Sequence, residues 1–177
     1  MTKNSCPYCG HVNIEGVDEC EACGQSLTTL SKSRHATDVE KSILKDPILA
    51  MRPRKATVVP PDMPVAEVLD VLARSGHGIV VVAEDDKPVG IFSERDALLR
   101  LNVDAGKLAD HPISEFMTPN PEMLSVEDRI AFALNKMAGG GYRHVPIVDE
   151  EGRVTGIISV RDILRYTADS LVQLDEV

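Results

Sequence analysis

A chain of 177 residues with 43% hydrophobic and 27% charged content has the make-up of a soluble globular protein, with apolar material for one good core or two small ones. Its formal net charge of -9 argues against nucleic acid or an anionic membrane as the main partner, because Lys and Arg drive both kinds of binding. The opening MTKNSCPYCG lacks the apolar core of a signal peptide, and the longest apolar stretch, Ile79 to Ala83, is far too short to span a bilayer, so a cytoplasmic protein is expected.

All four cysteines lie near the start, as Cys6, Cys9, Cys20 and Cys23. CPYCG and CEACG give C-x2-C, ten residues, then C-x2-C, a short-spaced relative of the four-cysteine zinc pattern. Each C-x-x-C turn aims two sulfurs at one point, and tetrahedral zinc takes four thiolates at about 2.3 Å. Gly10 and Gly24 follow the pairs, where backbone amides turn back toward the sulfurs. The segment is too small to fold on an apolar core, so roughly 10 to 16 kcal/mol of metal-binding free energy would be its main stabilisation. Two disulfides are the structural alternative, but an intracellular chain keeps them reduced. A redox C-x-x-C needs a βαβ setting that does not fit here. One structural Zn2+ is therefore expected.

These residues resemble a zinc ribbon, over residues 1–27. Within it Lys3 stands against Glu15, Asp18, Glu19 and Glu21, and Tyr8 is the single aromatic. Nucleic acid calls for cationic and stacking side chains, so a ribbon of this kind is expected to contact protein or to give structural support.

From Thr28 to Ala36 the chain reads TTLSKSRHA, polar and small as a linker is, so residues 28–37 are taken as the connection. Thr37 and Glu40 are spaced as a capping box ahead of Ile43 and Leu44, which predicts a short helix opening the next domain.

Beyond that helix the chain repeats itself. DPILAMRPRKATVV aligns with HPISEFMTPNPEML, so that Met51 matches Met117 and Pro53 matches Pro119. PVAEVLDVLA aligns with RIAFALNKMA, both apolar at helical spacing. GIVVVAEDDKPVGIF aligns with HVPIVDEEGRVTGII, each an apolar strand, an acidic turn and a second apolar strand. ERDALLRL and VRDILRYT finish the copies as helices. Each copy thus reads strand, helix, strand, strand, helix, too small to bury both faces of its sheet alone; two copies would share one core. Domains of 38–106 and 107–177 follow.

The Met51 and Met117 lead-in segments, the strand start Arg143-His144-Val145-Pro146, and the twin stretches GIFSERD (Gly90 to Asp96) and GIISVRD (Gly156 to Asp162) resemble a tandem cystathionine β-synthase (CBS) domain pair. The resemblance implies a mixed α/β (α+β) fold of two β-α-β-β-α repeats with pseudo-twofold symmetry. It further implies that Ser93 and Ser159 contact a nucleotide's phosphate or ribose, that Asp96 and Asp162 accept hydrogen bonds from ribose hydroxyls, and that Arg143 and His144 stand near the phosphate. Helix N-termini suit anions, and Gly90 and Gly156, without Cβ, would let a ligand approach the strand. The same Ser and Asp also have the spacing of a helix capping box, and capping alone would account for them at about 1 kcal/mol per cap.

The first copy departs from the pattern: His77, Gly78, Ile79 and Val80 stand where the second has Arg143, His144, Val145 and Pro146, so unequal sites are expected. With no Trp and three Phe, an adenine ring would rest on aliphatics such as Val58, Met123, Leu124 or Ile147, residue types that are more often plain core. Gly139-Gly140-Gly141 lacks the Lys-Ser/Thr of a phosphate loop and reads as a helix stop.

No nucleophile elbow or H-E-x-x-H is present, and bound zinc would leave no free cysteine, so the chain is not expected to be an enzyme. The resemblance implies a regulatory module that binds an adenosine-type nucleotide, such as AMP or ATP, between the repeats and relays that state to a partner or to the ribbon; CBS pairs commonly dimerise, so a homodimer is expected. The rival is an adaptor, in which the ribbon binds a protein partner and the pair only dimerises.

Overall fold

The structure is a computed structural model that describes residues 4–6, 8–14, 17–27 and 38–174. The linker and Thr37, with the capping box it would form, lie outside them. The chain divides into two compact units, Arg54–Ser125 with Pro146–Ile157, and Met1–Pro53 with Val126–Val145 and Ile158–Val177.

The first unit is built on a four-stranded sheet in the order β3-β4-β5-β6. Its strands are β3 (Val58–Val59), β4 (Ile79–Glu84), β5 (Lys87–Ser93) and β6 (Thr118–Pro119). β3 runs parallel to β4, with Val58 opposite Val81; parallel neighbours need a crossover, and helix α2 (Val65–Ser75) supplies it. Val65, Val68 and Leu72 form the buried stripe of α2, which stops at Gly76 with φ 66, the left-handed cap that glycine adopts freely. β4 and β5 form a hairpin in which Ile79 opposes Ser93. Its turn residues Asp85 and Asp86 both have positive φ, as a tight two-residue hairpin requires.

β4 is apolar without alternation because both of its faces are covered. Val80 and Val82 pack with Val59, Val65, Val68, Leu72, Phe92 and Ile113, whereas Ile79 and Val81 meet Ala56, Ile91 and Ile157. Ile157 comes from the second copy, so the two repeats share this part of the core, as the size of a single repeat demands. Fully burying a side chain of this size contributes about 1.5–3 kcal/mol.

The closing helices differ between the copies. After the single α-turn α3 (Glu94–Asp96), the first copy widens into a π-helix over Ala97–Leu101, which carries Leu101 into the core and leaves Leu98 and Leu99 exposed. In the second copy the expected regular helix, α5, runs Val160–Leu174.

The second unit holds β1 (Asn4–Ser5) paired with β2 (Val12–Asn13), α1 (Asp38–Lys45), α4 (Ile130–Gly140) and α5. The segment after α1 is laced to the start of α4: Ile48 N donates to Asp128 O at 2.7 Å and Ile130 N to Asp46 O at 3.0 Å. Tyr166 of α5 donates its hydroxyl to the Asp46 carboxylate. The three glycines after Met137 and Ala138 act as a helix stop, for α4 ends at Gly140 and Gly141 caps it at φ 68. The remaining strands, β7 (Leu124–Ser125), β8 (His144–Val148) and β9 (Val154–Ser159), form a sheet in that order, with Leu124 parallel to Ile147. Both copies therefore carry the strand, helix, strand, strand, helix order expected of them.

Candidate functional site: the twin serine–aspartate motifs and the cysteine cluster

Each heptapeptide folds as the end of a strand followed by the start of a helix. In the first copy Ser93 caps α3: its Oγ accepts from Asp96 N at 3.3 Å and donates to Asp96 Oδ2 at 2.6 Å, while Ser93 N donates to the same oxygen at 3.0 Å. Capping is thus one role these residues fill. The second copy repeats it, with Ser159 N and Oγ donating to Asp162 Oδ2 at 2.7 and 2.6 Å.

The copies differ in exposure and in what meets the other carboxylate oxygen. The Asp96 side chain keeps 19% of its surface in solvent and the Asp162 side chain 4%. Asp96 Oδ1 lies 3.4 Å from Thr118 Oγ1 and 3.4 Å from Arg100 Nη2, whereas Asp162 Oδ1 lies 3.3 Å from Arg165 Nη2. Neither Thr118 nor the arginines stand out in the sequence. Arg100 is four residues after its aspartate and Arg165 three, so the repeat alignment does not pair them, and Thr118 aligns with Arg52.

The glycine expectation is corrected for Gly90. A Cβ there would lie 2.2 Å from the sulfur of Met117, so the missing side chain makes room for methionine and not for a ligand.

Arg143 is exposed and precedes β8, and its carbonyl accepts from Val160 N at 3.2 Å. His144 is half-buried at the strand's first position. In the first copy Glu94 N donates instead to the carbonyl of Gly78, the residue aligned with His144, at 3.0 Å, and a Cβ on Gly78 would meet the Glu94 carboxylate at 3.1 Å. Of the aliphatics, Val58 and Met123 expose 44% and 41% of their surface, but Leu124, Pro146 and Ile147 are buried and belong to the core.

The four cysteine sulfurs all lie within 4.8 Å of one another. Cys6 and Cys23 sulfurs are 3.8 Å apart, those of Cys9 and Cys20 3.5 Å, and none is in a disulfide. Bonds of about 2.3 Å in a tetrahedron put the sulfurs about 3.8 Å apart, so the cluster fits a single metal ion. Burial pushes the Cys9 thiol up to about 12. Burial also raises Cys20, but hydrogen bonds from the Cys23 and Ala22 backbone outweigh it and bring that thiol to about 6. The knuckle glycines Gly10 and Gly24 have φ 73 and 68, and Gly10 lies against the ring of Phe132 of α4, which a Cβ would approach to 3.4 Å.

The CBS domain family model matches residues 44–102 and 113–169, which is most of the chain. The chain belongs to the CBS domain family. Among similar proteins, a 17.7 kDa protein of Acidianus ambivalens is 30% identical over 116 residues, 65% of this chain and 69% of its own. A CBS-domain protein of Agrobacterium tumefaciens of known structure is 31% identical, with a TM-score of 0.59 over 67% of this chain and 94% of that one. A CBS domain protein of Pyrobaculum aerophilum, solved in complex with AMP, is 27% identical, with a TM-score of 0.59 over 70% of this chain and 98% of that one. None of the described helices is long and apolar enough to cross a membrane.

Proposed function

We propose that this chain is a regulatory module that binds an adenosine-type nucleotide, AMP or ATP, at its Ser–Asp motifs and passes that state to a partner protein or to a zinc-loaded ribbon. The observation that carries the reading is the AMP complex of the Pyrobaculum relative, which is aligned over 98% of its length, together with Ser–Asp pairs at the matching motif in both copies here. Asp96 and Asp162 would accept from ribose hydroxyls, and the Ser93 and Ser159 hydroxyls would lie beside phosphate or ribose. Arg143 is suited to phosphate as an exposed guanidinium, with His144 next to it; Val58 would offer an aliphatic surface to the base, while Leu124 and Pro146 would back it from the core. The chain then acts without chemistry of its own, as a homodimer in the cytoplasm. A ligand shifts such a module only through unequal affinity for its two states.

Cys6, Cys9, Cys20 and Cys23 would hold one Zn2+, which supplies folding free energy to a segment of little core.

The burial of Ser159 and Asp162, at 3% and 5% exposure, favours a second reading for that copy: a helix cap in an adaptor whose ribbon does the binding. Thermal shift with AMP, ATP, NAD and S-adenosylmethionine separates the readings. A ligand at 100 times its Kd stabilises by about 2.7 kcal/mol, so a rise in Tm that is lost in Asp96→Asn or Asp162→Ala supports the sensor. No shift with any of the four supports the adaptor.

A further inference from the structure

The duplication supplies its own control at one helix position. Aligning PVAEVLDVLA with RIAFALNKMA puts Phe132 of α4 where the first copy has Glu67 of α2. Glu67 lies outside the buried stripe Val65, Val68 and Leu72 and is exposed, the usual place for a charged residue. Phe132 likewise lies outside the matching stripe Ile130, Ala133 and Met137, yet it is aromatic and half-buried.

The ring is met by the first cysteine turn. A Cβ on Gly10 would lie 3.4 Å from Cζ of Phe132 and 3.9 and 4.0 Å from its two Cε atoms, whereas a Cβ on Gly24, the matching glycine of the second turn, would meet nothing within 4 Å. Gly10 itself stays exposed, so this is a surface seat that can open without breaching a core. The turn's shape is local to the cysteines: Gly10 N donates to Cys6 O at 2.9 Å and Cys6 N to His11 O at 2.8 Å. The loop that faces Phe132 therefore also carries the sulfurs of Cys6 and Cys9, and a metal ion on the four cysteines would hold it in this form.

We propose that Phe132 is the dock for the first cysteine turn, occupied when the four cysteines hold a metal ion, so that metal loading is felt at α4 of the second copy and not at α2 of the first. The inference rests on the reading of the cysteines as a one-metal site and is independent of the nucleotide. Such coupling is reciprocal: docking strengthens metal binding by the factor by which metal strengthens docking.

The test uses the full chain labelled with para-fluorophenylalanine, whose three signals come from Phe92, Phe116 and Phe132; Phe132→Leu assigns the last. Removing zinc with a chelator is expected to shift the Phe132 signal and to increase its response to exchange of water for D2O, while Phe92, fully buried, does not move. Phe132→Gln is polar, uncharged and a good helix former, so it tests the dock without adding charge beside the thiolates. It is expected to lose zinc to a competing chelator about fivefold more readily than wild type, the low end of couplings between sites. Phe132→Leu, which stays apolar, should hold zinc nearly as wild type does. A Phe132 signal that ignores zinc removal, or equal zinc retention in Phe132→Gln and wild type, overturns the docking while the metal site stands. A chain that neither holds zinc nor takes it up overturns the metal reading and the docking together.

Discussion

The sulfur of Met117 occupies the space over Gly90 in which any other residue's Cβ would stand, at 2.2 Å from where that atom would be, with Met117 Cγ at 2.8 Å. Since two atoms of the methionine would be displaced, Gly90→Ala is expected to cost about 1–3 kcal/mol, the range for overpacking. In a Met117→Ala background the same change should cost much less, because neighbouring residues are not additive. Urea denaturation of the four proteins checks it, and an equal cost in both backgrounds contradicts the packing described.

The two capping boxes differ in burial and should differ in worth. Asp96→Ala removes a cap that keeps part of its surface in solvent and is expected to cost about 1 kcal/mol. Asp162→Ala takes the 2.7 Å acceptor from Ser159 N in a pair that is 3% and 5% exposed, and should cost about 1–3 kcal/mol. Chemical denaturation of both variants reads the difference, and the reverse order would contradict it.

Metal removal should act first on the segment that carries Cys6, Cys9, Cys20 and Cys23. Elemental analysis of the purified chain is expected to give one zinc per chain, reduced in Cys20→Ser. Chelation should speed amide exchange across residues 4–27, whose stability would come mainly from about 10–16 kcal/mol of metal binding. A metal-free chain whose cysteine segment stays protected contradicts this.

The turn after β8 carries an acid-sensitive contact. The Arg153 backbone N–H, then its side chain, holds the Asp149 carboxyl below its usual range. A depressed folded pKa contributes stability that is present above the unfolded value of about 3.9 and is lost as pH falls through the folded value. Asp149→Asn should therefore destabilise slightly at pH 7, with the difference from wild type vanishing once the pH has fallen through the folded value. A difference that persists there would mean the contact is not ionic.

Much of the fold was legible because the chain carries its own alignment. The apolar run Ile79 to Ala83 and its partner Val145 to Val148 each precede an acidic turn, so period and punctuation agree in both halves. The cysteines were equally plain, since C-x2-C geometry depends only on local backbone. What escaped is set by tertiary contact. Gly90 is explained by Met117, twenty-seven residues away; Asp96 meets Thr118 from the lead-in to the second copy; and nothing in GIISVRD reveals that its Ser and Asp are more buried than those of GIFSERD. The aliphatics expected to face a base divide by burial for the same reason, with Val58 and Met123 outside and Leu124 and Ile147 within.

The strand that closes the first sheet, β6, is drawn from the lead-in to the second copy, with Gly90 opposite Pro119 and Ile91 opposite Thr118. A gene fragment encoding the first copy alone, ending at residue 104, would leave β5 a bare edge with unmet amide and carbonyl groups. The strand that covers that edge would then be carried by the second half alone. Halving this protein at its apparent seam would thus strip the first half of Thr118 and Pro119, the two residues that cover its sheet edge.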